Sequence, residues 1–446
     1  MRLTNLVWLY MIIAAVFFLP FAQANSPGPG DTPQKIVFDP SPHAMLSQLV
    51  ENHQEIKTYA HKVESAQTML RQSKGLYYPS LDLYGDAGKE GIEKEFNEST
   101  HQWRHEVTLK GTQLITDFGK TIHTIDRDEI ALAQARAGKE AVTQRMLRQG
   151  ISAYIGIVRA REQLKSVLYS ENRIKELTGI EKALVNKGAG LTSDVLQAKS
   201  QLAGAMALRV EAEGELQMAK NRFQAIFYYY PNPDQIDLFQ EVPLPEQALP
   251  ASLDSAVDTA LEHHPEIKLT QYDLDLRRQD IKISKSTYYP RFNLFGEYID
   301  ANDDAGVQGY RRDYSAGVEF SYNLFRGGSD LAAVKSATAS KSAASTHLNH
   351  SKKLVQEQPA NSWEQFFTLT RRKELLDQQT RILERFLDLA QKKRTMGTRS
   401  LLDVLNGEVN YINAQATAIA AREEMKIAAY NLLFSMGKIN LDLFSF

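Results

Sequence analysis

The sequence has no cysteine in its 446 residues, which excludes disulfides, thiol catalysis, thiolate metal centres and a lipid carried on a cysteine. Long apolar runs are equally scarce. After an N-terminal run at residues 7–19, no stretch approaches the ~18 apolar residues that a spanning helix needs. The mature chain is therefore expected to lack a helical membrane anchor. Neither sign of charge is in excess: 52 Lys and Arg face 54 Asp and Glu, a net charge of -2. That balance gives no reason to expect nucleic acid as a partner.

Met1-Arg2, the apolar run and Ala22-Gln23-Ala24 have the three parts of a secretory signal peptide, residues 1–24, cleaved after Ala24. Loss of Arg2 leaves 51 basic against 54 acidic residues, a net charge near -3. Export without cysteine fits a bacterial envelope protein better than a small secreted disulfide-bonded domain. Residues 25–42, rich in Pro, Gly, Asp and Ser with one short strand at 35–38, read as a flexible N-terminal arm.

Beyond the arm the chain is a duplication. Ser73-Lys74-Gly75-Leu76-Tyr77-Tyr78-Pro79 returns 211 residues later as Ser284-Lys285-Ser286-Thr287-Tyr288-Tyr289-Pro290, and His53, Glu55, Ile56 and Lys57 match His264, Glu266, Ile267 and Lys268 at the same offset. A repeat of this size argues for two copies of one unit, residues 43–250 and 251–438, with a short C-terminal equatorial segment at 439–446. In each copy a helix-compatible run ends at the proline and a strand-like alternation comes next, so Pro79 and Pro290 mark a helix-to-strand switch. The run at 44–78 predicts one continuous helix; in the second copy Pro265 suggests that the regular helix starts there.

Each copy then predicts one antiparallel hairpin, at 80–115 and 291–324. Trp103, Val107 and Leu109 alternate with Arg104, Glu106, Thr108 and Lys110, and Tyr314, Ala316, Val318, Phe320 and Tyr322 alternate with Asp313, Ser315, Gly317, Glu319 and Ser321. The polar stretches 89–100 and 301–312 read as the connecting loops. Such strands are long enough to cross an outer membrane, yet two hairpins give four strands and the smallest membrane barrels need about eight. One chain must share its barrel with other copies.

After each hairpin come some 65 to 70 residues nearly free of breakers, on the order of 100 Å of helix. Leu147, Ile151, Tyr154 and Val158, and Leu376, Leu383, Leu387 and Ala390, follow the three-and-four spacing of coiled-coil pairing. The turns lie at 186–192 and 395–401, where Gly188 matches Gly397 and Asp194-Val195-Leu196 matches Asp403-Val404-Leu405. Each long helix equals two shorter ones laid end to end. Gly150 and Pro359, which also correspond, should weaken or kink the long helices at that joint, a waist where residues 229–250 and 441–446 are placed as well.

Chemistry is not legible. Lys187-Gly188-Ala189-Gly190 lacks the preceding strand and the glycine spacing of a phosphate loop, so a hairpin tip is the better reading. His347 and His350 have no third ligand in register, and His263-His264 reads as a helix start. Neither a cofactor, a metal nor an enzymatic activity is expected.

The duplicated helix, the Tyr-Tyr-Pro switch, the hairpins, the long-helix starts Asp117-Phe118-Gly119 and Leu324-Phe325-Arg326-Gly327-Gly328, and the tips resemble the TolC family of outer-membrane channel proteins over residues 44–436. Gly397-Thr398-Arg399-Ser400-Leu401-Leu402-Asp403-Val404-Leu405 is the most specific piece. The resemblance implies an α+β membrane protein of long coiled-coil helices and β-hairpins: a homotrimer in the Gram-negative outer membrane lipid, with a shared barrel of about twelve strands and a periplasmic α-helical tunnel. It further implies a periplasmic adaptor (membrane fusion) protein and an inner-membrane ABC exporter or proton-driven pump as partners. By the same resemblance Gly188, Leu191, Asp194, Gly397 and Leu401 belong to adaptor-docking tips, and Asp403 to a periplasmic gate. Asn406 stands where some members carry a second aspartate. The missing lipidated cysteine resembles the protein-secretion branch, which makes type I secretion the expected role. Small-molecule or metal efflux, and a structural coiled-coil adhesin, are the alternatives.

Overall fold

In the computed structural model the described residues are 38–93, 99–188 and 191–445, so the expected signal peptide and most of the arm lie outside them. The first helix, α1 (Pro42–Asn52), is capped by Ser41, whose Oγ accepts from the Ala44 N–H at 3.2 Å. It ends at His53, which is extended with φ -66° and ψ 127°, and α2 (Gln54–Gly75) begins at once. The continuous helix expected over 44–78 is thus two helices. The residues around His53 show no local breaker, but the repeat carries the sign: His53 matches His264, which stands before the helix start at Pro265, and its Nδ1 likewise caps, accepting the Glu55 N–H at 3.2 Å.

Strands β1 (Ser80–Ile92) and β2 (Thr100–Thr116) form the first hairpin, and after it α3 (Lys120–Asn186) runs for 67 residues. The return helix α4 (Thr192–Phe227) leads into the one-turn α5 (Pro233–Ile236) and a single 3₁₀ turn at Glu246–Ala248. The second copy repeats the order with α6 (Leu253–His263), α7 (Pro265–Ser286), β3 (Arg291–Asn302), β4 (Tyr310–Ser321), the 67-residue α8 (Ser329–Thr395) and α9 (Leu401–Ser435). His264 caps α7 as His53 caps α2, accepting the Glu266 N–H at 3.2 Å.

The four strands form one antiparallel sheet in the order β1-β2-β3-β4, with β1 and β4 as its edges. Register divides its faces. Leu83, Leu109, Tyr298 and Tyr314 align across one face, and Asp82, Lys110, Glu297 and Ser315 across the other. Strands extend further than expected, to Ile92 and from Thr100, and to Asn302 and from Tyr310. Lys89, Glu90, Thr100, Asn302, Arg311 and Arg312 make the extensions mostly polar, which made them look like loop.

The long helices are the frame. Toward the sheet, α2 lies on α3, and α7 lies between α3 and α8; toward the tips, α4 lies on α3, and α9 between α3 and α8. At the waist α3 is buried almost all round: Ile151, Tyr154, Ile155, Ile157 and Val158 are inaccessible. Tyr154 donates to the Pro40 carbonyl and accepts the Gln240 N–H at 2.9 Å. Arg161 donates to the carbonyls of Ile236, Asp237 and Phe239 at 3.2, 3.3 and 2.7 Å, which fastens the proline-rich segment to the frame. Tyr430 donates to the Pro243 carbonyl at 3.0 Å and stacks on Phe444 at 5.3 Å, so the C-terminal turn sits there too.

Both long helices are continuous through Gly150 and Pro359, the positions expected to weaken or kink them. Gly150 instead permits close approach. A Cβ there would lie 2.6 Å from Leu49, 2.8 Å from Leu46 and 3.4 Å from Phe227, where α1 and the end of α4 meet α3.

Candidate functional site

Two regions carry the features of a conduit: the two-faced sheet at one end and the hairpin tips at the other. On the sheet, Leu81, Leu83, Leu109, Leu294, Val318 and Phe320 share one face by register and are exposed. Exposed apolar residues in such a band need lipid or protein to cover them. Tyr77, Tyr78, Tyr288, Tyr289, Tyr322 and Phe325 lie exposed at the helix-side margin, and Trp103, Tyr310 and Tyr314 toward the other margin. Aromatic girdles of this kind occupy membrane interfaces. The opposite face carries Asp82, Asp86, Arg104, Glu106, Lys110, Glu297 and Glu319. Pro79 and Pro290 directly precede β1 and β3, so both switches stand where the helical part enters the apolar band.

At the other end, each tip turns at a glycine with positive φ: Gly188 and Gly397 are both at 75°. Gly188 N–H donates to Val185 and Gly397 N–H to Arg394, each at 2.9 Å, and Thr398 N–H closes the second turn onto Lys393 at 3.0 Å. Ala189 and Gly190 lie outside the described residues. Leu191 is 65% exposed, whereas Leu401 is 3% exposed and packs with Ile174, Ala198 and Leu405. The two leucines grouped by resemblance therefore have different surroundings: one faces out and the other binds the two hairpins together.

Asp194 and Asp403 each stand in the first turn of a helix. Asp194 accepts from Ser193 Oγ at 3.3 Å. Asp403 donates its N–H to Ser400 Oγ, the true cap, at 3.2 Å, while its carboxylate, half exposed, faces Arg399 Nε at 3.4 Å. Asn406 reaches Gln201 at 3.4 Å.

Sequence reasoning missed the buried ions behind the tips. Glu181 on α3 pairs with Arg394 on α8, and Glu408 on α9 lies 3.3 Å from Arg173 on α3. Burial raises the Glu408 carboxyl above its usual range against the opposing pull of Arg173. The signal was available: Glu181 follows Ile174 and Thr178, and Glu408 follows Leu401 and Leu405, on buried stripes of helical spacing. A groove of about 730 Å³ opens beside them, lined by Tyr169, Arg173, Leu177, Glu181, Arg394 and Leu401. His347 and His350 are exposed on α8, far in sequence from these ions.

Comparison with known proteins decides what this combination is. The model of the outer membrane efflux protein family matches residues 45–227 and 256–438. The chain belongs to that family. BepC, an outer membrane efflux protein of Brucella suis biovar 1 (strain 1330), is 22% identical over 339 residues, 75% of this chain and 73% of BepC. AprF, an alkaline protease secretion protein of Pseudomonas aeruginosa, is 22% identical over 357 residues, 78% of this chain and 72% of AprF. The solved structure of the outer-membrane channel OprN matches with a TM-score of 0.78 at 19% identity, over 90% of this chain and 91% of OprN. The TolC-like fold expected from the residues stands. The outer membrane efflux protein described here is a channel component rather than an enzyme, placed in the outer membrane with its helices in the periplasm.

Proposed function

We propose that this chain is the outer-membrane exit duct of a tripartite export system and that three copies close one barrel. The observation that carries this reading is the sheet: among the described residues it has four strands and two open edges, and unpaired strand edges are not tolerated in lipid. Three copies supply about twelve strands, a barrel size wide enough to enclose water. The polar face then lines the lumen, and the long helices continue the wall into the periplasm.

The inner-membrane partner is proposed to be an ATP-driven exporter of protein, working through a periplasmic adaptor docked at the tips. AprF is named for protease secretion, and the absence of cysteine denies the chain a lipidated cysteine. The second reading is efflux of small molecules or metal ions by a proton-driven pump, and what supports it is that BepC is named an efflux protein. Among the tip leucines, Leu191 is the docking residue, because Leu401 is already covered within the chain.

A photo-crosslinking amino acid at position 191, followed by purification and mass spectrometry, tests the assignment. An adaptor bound with an ATP-driven exporter is expected. An adaptor bound with a proton-driven pump overturns the secretion reading, and monomeric channel protein in mild detergent overturns the shared barrel.

A further inference from the structure

The connection between β3 and β4, residues 303–309, folds sideways across the sheet instead of standing above its own strands. Gln102 Nε2 donates to the carbonyls of Asp303 at 2.6 Å and Val307 at 3.5 Å. Arg104 Nη1 donates to Asp304 Oδ1 at 2.8 Å, and the Gly306 N–H donates to Glu90 Oε2 at 2.8 Å. All three anchors belong to the first hairpin, on its polar face: Glu90 is paired with Gln102, and Arg104 stands two residues further along that face. A connection from the second hairpin thus reaches past β2 to β1 on the side that the duct reading makes the lumen.

The segment is also built to hold that shape. Asp303, Ala305, Gly306 and Gly309 all have positive φ, at 53°, 56°, 69° and 108°, a conformation open to Gly, tolerated by Asp and uncommon for Ala. Asp303 N–H donates to the Gly309 carbonyl at 2.9 Å, and Gly309 N–H returns to Asp303 Oδ1 at 2.8 Å. Arg104 is the hub: it meets Asp86, Glu90 and Asp304, and Asp304 also faces Arg311 at 3.3 Å. The Asp304 side chain is only 9% exposed, so removing its cationic partners leaves a buried charge that favours release of the loop.

We propose that residues 303–309 form a lid at the outer mouth of the duct, held on the lumenal wall by Arg104, and that this lid limits the size of what passes there. The proposal rests on the duct reading above. Three such loops project into one barrel, each narrowing the passage from its own wall. Arg104 is a positioning residue for the lid and the determinant of its closed state.

Absence of cysteine supplies a clean probe. Ser315 lies on the lumenal face, aligned with Glu297 of β3 and exposed, so Ser315→Cys gives one thiol below the lid. Intact cells carrying it are treated from outside with a small and a bulky membrane-impermeant maleimide, and the ratio of bulky to small labelling rates is measured. Arg104→Ala should raise that ratio by on the order of tenfold, the effect of losing one partner of a buried pair on a local opening equilibrium. Arg104→Lys should fall between. Replacing 303–309 by Asn-Gly, a two-residue turn compatible with the Asn302 and Tyr310 pairing, should raise it whether or not Arg104→Ala accumulates. An unchanged ratio in the Asn-Gly variant overturns the lid. Failure of even the small reagent to label Ser315→Cys in that variant instead overturns the lumenal assignment of this face and the duct reading with it.

Discussion

Arg394 on α8 donates to the carboxylate of Glu181 on α3, and the pair ties one helical hairpin to the other beside both tips. The Glu181 side chain is 2% exposed and that of Arg394 30%. Removing a partner from a buried pair costs roughly 3–5 kcal/mol, and the lower end applies because Arg394 keeps contact with water. Arg394→Ala should therefore speed hydrogen exchange in the last turns of α3, while Glu181→Gln, which keeps an acceptor, should do so less. Equal exchange in Arg394→Ala and the parent would refute a clamp at this position.

Gly150 yields a second prediction, on stability alone. Its missing Cβ makes room for Leu46 and Leu49 of α1, both inaccessible, and for Phe227 at the end of α4. Gly150→Ala gains helix propensity of about 1 kcal/mol but overpacks a closed core, at a cost of about 1–3 kcal/mol. The net outcome expected is a lower thermal midpoint in mild detergent. Gly156→Ala, whose new Cβ would meet nothing within 4 Å, should raise the midpoint. A rise in both variants would show that the joint is loose.

Much of the fold was legible from local pattern: 67-residue helices nearly free of breakers, strands alternating at Val107 to Lys110, and tips at Gly188 and Gly397. What was illegible depended on partners distant in sequence. His53 has no breaker beside it as His264 has in Pro265, so the break in the first copy became plain only with its cap on Glu55. Leu401 looked equivalent to Leu191 until Ile174 and Ala198 covered it. The loop at 303–309 took its shape from Glu90, Gln102 and Arg104, about two hundred residues earlier, for which no local pattern exists.

The paired caps at His53 and His264 make folding pH-dependent. Each Nδ1 accepts an N–H, so the ring must be neutral there, and burial lowers both pKa values from the ordinary 6.5. Below about pH 6.5 the unfolded chain takes up protons that the folded chain refuses until lower pH. Stability contributed by these caps is present above that pH and falls as pH drops toward the lowered values. His53→Asn with His264→Asn keeps a capping acceptor without titration, so thermal midpoints should depend less on pH between about 7.5 and 5.5. An unchanged dependence would remove the two rings from this role.

Asp403 tests the proposed gate. Its N–H is satisfied by Ser400, so the carboxylate is not needed as a cap, and its 47% exposure leaves it able to act on ions despite Arg399 at 3.4 Å. Asp194 is the internal control, since it occupies the matching first turn of α4 and accepts from Ser193. If each acts only on its own helix dipole, neutralisation costs about 0.3–1 kcal/mol in either case and leaves conductance alone. If three copies of Asp403 converge at the narrow periplasmic end, their like charges draw in cations. Asp403→Asn should then reduce cation selectivity and relieve block by divalent cations in planar bilayers, while Asp194→Asn should not. Matching conductance, selectivity and block in the two variants would assign Asp403 to its own helix and remove it from the proposed gate.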